Sequence, residues 1–167
     1  LSAKPPELYV EKDFLELTDA IAPGSEVLSV NLFFHEQEQK VYFLNFNFHI
    51  MSLAALNDLP FRFFYSPHSQ FYDNLALLPG VKSMVSAIGN KDLSMCIAAR
   101  ERLGEKADYL HLNIIWEFWK NPDWSRKEIV ALQDREFVES CGAQLVYPRN
   151  ESDKQMAFLY RLDGGGG

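Results

Sequence analysis

Cysteine is scarce: the 167-residue chain has two, Cys96 and Cys141. There is no Cys-x-x-Cys pair and no Cys/His cluster at zinc-ligand spacing, so neither a dithiol motif nor a structural zinc site is encoded. Each cysteine falls in an apolar, helix-like stretch, where a free thiol behaves as a small buried hydrophobe. The expectation is two reduced core thiols in a cytoplasmic protein. Long hydrophobic runs are missing as well. Charges interrupt every apolar stretch before the ~18 residues of a membrane span, and mean hydropathy is −0.18. Positive charge is in deficit, with 16 Lys+Arg against 23 Asp+Glu and a net charge of −7, which repels a phosphate backbone. No nucleic-acid partner is expected. Gly-x-Gly-x-x-Gly, Gly-Lys-Ser/Thr, Gly-x-Ser-x-Gly and His-Glu-x-x-His are all absent, which removes the common nucleotide cradles, the hydrolase elbow and the zinc-protease helix. Neither a cofactor nor a metal is expected. Residues 1–6 lack the apolar stretch of a signal peptide.

What is abundant is apolar and aromatic. Hydrophobic residues make up 47% of the chain and aromatics 14%, including 13 Phe, which is incompatible with global disorder. The length supports one core, so residues 1–163 read as a single α+β domain. Residues 164–167 are a tetraglycine tail with nothing to pack, a flexible linker remnant.

Hydrophobic periodicity places the elements. Val10, Phe14, Leu17 and Ile21 lie on one face of a helix over 7–21, stopped by Pro23-Gly24. Residues 26–34 alternate, with Leu28, Val30, Leu32 and Phe34 on one side and Ser29 and Asn31 on the other. Residues 40–50 alternate in turn, with Tyr42, Leu44, Phe46, Phe48 and Ile50 opposite Asn45, Asn47 and His49, so the two runs form a hairpin. A helical turn is expected over 51–57 and a short strand over 61–65. Three helical pieces follow, 69–78, 80–88 and 91–103, separated by Pro79-Gly80 and Gly89-Asn90 and closed by Gly104. Residues 108–118 form the clearest strand, with Leu110, Leu112, Ile114, Trp116 and Phe118 alternating against His111, Asn113 and Glu117. Ser125 and Glu128 form a capping box for a helix running to Cys141, and strands 144–147 and 156–162 close the domain. The predicted fold is α+β: a largely antiparallel sheet of five or six strands with helices packed on one face.

The polar side of this sheet collects Ser29, Asn31, Asn45, Asn47, His49, His111, Asn113 and Glu117 by the period-two rule. If strand 108–118 lies beside the hairpin, His49, His111 and Glu117 converge. Two imidazoles and a carboxylate suit acid–base or metal-assisted hydrolysis. The asparagines, Asn45, Asn47 and Asn113, instead suit hydrogen bonding to an extended peptide. Aromatics form a second candidate surface. Phe63 and Tyr65 belong to the run 61–65, and Trp119 and Trp124 flank the turn 120–123; aromatics beside arginine are common interface anchors.

Two short stretches resemble known patterns. Arg135-Glu136-Phe137-Val138-Glu139-Ser140-Cys141-Gly142-Ala143 resembles the core of the Nudix hydrolase box, whose glutamates bind the magnesium for phosphoanhydride cleavage. Ser140 stands where the box has a glutamate, and Pro122 and Lys127 stand where it has an upstream glycine and glutamate. As plain structure, the stretch belongs to an amphipathic helix with Val130, Phe137 and Cys141 buried and Arg135 in i,i+4 reach of Glu139. Arg161-Leu162-Asp163-Gly164-Gly165 is similar to the tail of a ubiquitin-like modifier. Residues 81–103 have the spacing of a helix-turn-helix but carry only Lys91, Arg100 and Arg102 as cations on the second helix. Asn150-Glu151-Ser152 is a formal N-glycosylation triplet. The functional expectation is a non-catalytic module that binds another protein through its aromatic surface or polar sheet face. The alternative is a small enzyme using His49, His111 and Glu117.

Overall fold

The computed structural model describes residues 16–35, 40–46, 62–63, 70–114, 126–152, 155 and 157–162. Their elements run β1 (Glu26–His35), β2 (Lys40–Phe46), β3 (Arg62–Phe63), α1 (Gln70–Asn90), α2 (Leu93–Gly104), β4 (Tyr109–Ile114), α3 (Arg126–Ala131), α4 (Arg135–Ser140), β5 (Gln144–Tyr147) and β6 (Ala157–Arg161). Four strands in the order β1-β4-β6-β5 make the body of an open sheet, and both β2 and the two-residue β3 add to the outer side of β1. Helix is also present over 16–18, ending before Gly24, whose φ of +78° turns the chain into β1.

The sheet is mixed, which corrects the largely antiparallel one expected. β1 pairs with β4 and β3 in parallel, while β1–β2, β4–β6 and β5–β6 are antiparallel. Alternation identifies strands but carries no direction. The long connection from β1 to β4 through α1 and α2 leaves room for a parallel return. The β1–β2 hairpin has an irregularity: Asn31 faces Asn45 but Leu32 faces Phe43, so Leu44 is an extra residue that breaks strict alternation.

One sheet face holds Leu28, Val30, Leu32, Leu110, Leu112, Phe158 and Tyr160, all completely buried. The helices cover this face. α1 packs on α2 at Gly80, where an added Cβ would sit 3.1 Å from Leu103 Cδ2. The expected break at Pro79-Gly80 is absent, and α1 runs through Pro79 as one helix. Proline forfeits one helical hydrogen bond, and burial of Leu77, Val81, Met84, Val85 and Ile88 outweighs that loss. The helix expected to run unbroken to Cys141 is two. Asp134 accepts a hydrogen bond from the Phe137 amide at 3.1 Å and so caps a new helix, α4. Helix α2 also runs one residue past its expected end, through Gly104 to a cap at Glu105.

The turn between α3 and α4 is tied to the sheet. Tyr160 donates its hydroxyl to the Leu132 carbonyl at 2.6 Å inside the core, and burial holds its phenol well above the usual tyrosine range. Replacing Tyr160 by Phe leaves that carbonyl unpaired. The expected cost is about 1–2 kcal/mol, read as a lower urea midpoint with unchanged circular dichroism. An unchanged midpoint would show that the bond contributes nothing.

Candidate functional site

The sheet face that the sequence marks as polar is covered too. Ser29 and His111 are fully buried and Asn31 nearly so, as strands with parallel neighbours generally are. Tyr109 Oη accepts the Ala22 amide at 3.1 Å, Tyr147 Oη lies 3.5 Å from Glu16 Oε2, and Leu17 and Ile21 are buried. Residues 16–22 therefore lie along this face. The solvated or ligand-accessible surface expected there is corrected for Ser29, Asn31 and His111.

Parallel register sets Ser29 beside His111 and Asn31 beside Asn113. Ser29 Oγ lies 2.6 Å from His111 Nδ1, and Asn113 donates Nδ2–H to Asn31 Oδ1 at 3.1 Å. Among the described residues, His111 Nε2 finds no hydrogen-bond partner. Burial pushes the His111 pKa down to about 3, so the imidazole is neutral across the physiological range. Serine beside histidine is a nucleophile–base contact in form. Here solvent is excluded and the base is weak, so the described geometry makes the pair a buried link between β1 and β4.

Asn45 is in β2 opposite Asn31, and Phe63 is in β3 opposite Val27. His49, Asn47, Tyr65, Glu117, Trp119 and Trp124 lie outside the described residues, as do the helical turn over 51–57 and most of the helix over 7–21. The structure thus joins His111 to Ser29, a partner that the candidate set His49, His111 and Glu117 did not include. Among the described residues no group of three or more His, Cys, Asp or Glu is arranged to hold a metal. No helix among them is long and apolar enough to cross a membrane.

Residues in the Nudix-like stretch have other uses. Arg135 donates Nη1 to the Leu145 carbonyl at 2.5 Å and Nη2 to the Pro148 carbonyl, fastening α4 to β5. Glu136 and Glu139 are exposed. Two of the cations in the helix-turn-helix-like stretch are engaged inside the domain. Lys91 pairs with Asp134 at 2.8 Å and lies 5.2 Å from the centre of the Phe137 ring. Arg100 donates Nε to the Cys141 carbonyl at 3.3 Å and Nη1 to the Leu162 carbonyl at 3.5 Å.

The expected free thiols are paired. Cys96 in α2 and Cys141 at the end of α4 form a disulfide with Cα atoms 5.7 Å apart, and both residues are buried. Nothing in the local sequence of either cysteine announces the other, 45 positions away. The pairing removes the ground on which a cytoplasmic location was expected.

A groove of about 400 Å³ is lined by Glu16, Asp19, Tyr147, Arg149, Asn150 and Gln155 among others. Its carboxylates and its guanidinium stand on opposite segments, 16–19 and 147–150. No family model matches the chain, and comparison with curated proteins and with solved structures finds no significant match. The fold and site define an α+β domain built on an open mixed sheet with an internal Ser–His link.

Proposed function

We propose that this domain is a non-catalytic protein-interaction module that takes an extended segment of a partner protein at the β2/β3 end of its sheet. The observation supporting this reading is the unequal treatment of the two ends of the sheet. At β5, Arg135 gives one guanidinium bond to the Leu145 carbonyl and another to the Pro148 carbonyl just past the strand, so part of that terminal edge is already occupied within the domain. At the other end the outermost described strands are β2 and β3, which meet β1 over Val30–His35 and Glu26–Val27 respectively. Among the described residues, Leu28 and Ser29 have no strand neighbour on that side. Backbone at a sheet edge supplies affinity for an added strand, and neighbouring aromatics supply the anchor. Phe63 stands at that edge.

Native mass spectrometry of gently purified protein tests the reading, with a stoichiometric protein partner at a fixed mass increment as the expected result. Phe63→Glu is then expected to weaken that complex about tenfold or more, a loss of about 1.4 kcal/mol or more. A complex indifferent to Phe63→Glu overturns the proposed surface. A bare monomer, with turnover lost on His111→Ala in a protein that still folds, would favour the enzyme reading instead.

A further inference from the structure

Nine asparagines occur in the chain, and only Asn150 begins the triplet Asn-x-Ser/Thr. Its placement suits modification. The loop after β5 is held at both flanks by buried or half-buried side chains: Arg135 takes the Pro148 carbonyl, and Gln133 takes Ser152 by two bonds. In these, Gln133 donates Nε2–H to the Ser152 carbonyl at 2.7 Å and accepts the Ser152 amide at 2.9 Å. Between these anchors Arg149, Asn150 and Glu151 are exposed. A large polar adduct on Asn150 would project to solvent without disturbing either anchor. A second, independent observation concerns compartment. Both cysteines are consumed in the Cys96–Cys141 disulfide, and such bonds persist where the surroundings are oxidising.

From these two observations we infer that the chain folds in an oxidising, secretory-type compartment and carries an N-linked glycan on Asn150. The disulfide forms by exchange with a thiol oxidoreductase. The two cysteines release two protons and two electrons, and the oxidoreductase's own disulfide is reduced to a dithiol. The glycan comes from a lipid-pyrophosphate-linked oligosaccharide. Asn150 Nδ2 attacks the anomeric carbon, a carbon–nitrogen bond forms as the carbon–oxygen bond to pyrophosphate breaks, the pyrophosphate leaves with the electron pair, and the amide loses one proton. This inference does not depend on the interaction reading above.

The test uses protein isolated from its own cells after acid trapping of thiols. Intact mass is measured before and after an amidase that releases N-glycans and converts the acceptor asparagine to aspartate. The expected result is a mass loss equal to the released glycan, conversion at Asn150, and no thiol reacting with a maleimide until reductant is added. Asn150→Gln and Ser152→Ala should each abolish the mass loss, and Ser152→Thr should restore it. The bonds from Gln133 to position 152 are to backbone atoms, so both Ser152 variants retain them. Oxidised cysteines with a bare Asn150 would overturn the glycan, and freely reacting thiols would overturn the compartment as well.

Discussion

Acidification from pH 7 to pH 4.5 is expected to remove on the order of 3 kcal/mol of folding stability through one residue, His111. Buried beside Ser29, its imidazole is held at about 3, against 6.5 for an ordinary histidine. As pH falls, the unfolded chain takes up this proton first, and each unit costs the folded state about 1.4 kcal/mol. The contribution is complete above about 6.5, declines through the window down to about 3, and levels off below it. Asp134 is held below its ordinary value by its bond with Lys91 and then by the Phe137 amide. Its effect has the same sign but sets in around 3.8, so the two windows overlap only at the acid end and the interval from 6.5 to 4.5 belongs to His111. Urea midpoints across pH measure the effect. The double variant Ser29→Ala with His111→Leu replaces both partners by apolar groups and should flatten the slope between pH 6.5 and pH 4.5. An unaltered slope in that variant would remove His111 as its source.

The second large effect belongs to the disulfide. Closing a loop across 45 positions restricts the unfolded chain by about 4 kcal/mol in the chain-entropy treatment. The double variant Cys96→Ala with Cys141→Ala should therefore melt about 10 °C lower, given roughly 2–4 °C per kcal/mol for a chain of this size. Reductant should bring the parent protein to the same midpoint, and slowly, because both residues are buried and the bond is reached only on opening. Equal midpoints in parent and variant, both indifferent to reductant, would mean that the cysteines are not linked. The joint that the bond closes has another tie. Arg100 holds the Cys141 carbonyl, and Gly142, at φ +93°, leaves room where a Cβ would sit 3.0 Å from that guanidinium. The α2–α4 contact should thus survive the double substitution, at lower stability.

Sequence patterns and structure part company at identifiable residues. The helix-side strand positions Leu28, Val30, Leu32, Leu110, Leu112 and Ile114 are in the core as their alternation implies. Local geometry imposes that periodicity, so it survives without knowledge of neighbours. Ser29, Asn31 and His111 read as wet because a linear pattern shows polarity and not exposure. Their cross-strand partners sit 82 positions away, and only pairing reveals that each polar group has a companion indoors. Pro79-Gly80 reads as a stop, yet packing on Leu103 carries α1 through it. Asp134, by contrast, was a legible signal. An aspartate directly before Arg135, with Glu136 in the first turn, is an N-cap signal, and the longer apolar periodicity runs across it.

By itself the sequence determined the α+β class, the apolar strand face that packs in the core, and the net negative charge of the chain, because these follow from local periods and summed charge. Tertiary structure decided the parallel pairing of β1 with β4, the Ser29–His111 link, the Cys96–Cys141 bond and the exposure of Asn150 between two anchors. Each of these depends on which distant segments meet, and a linear pattern of polarity contains no distances.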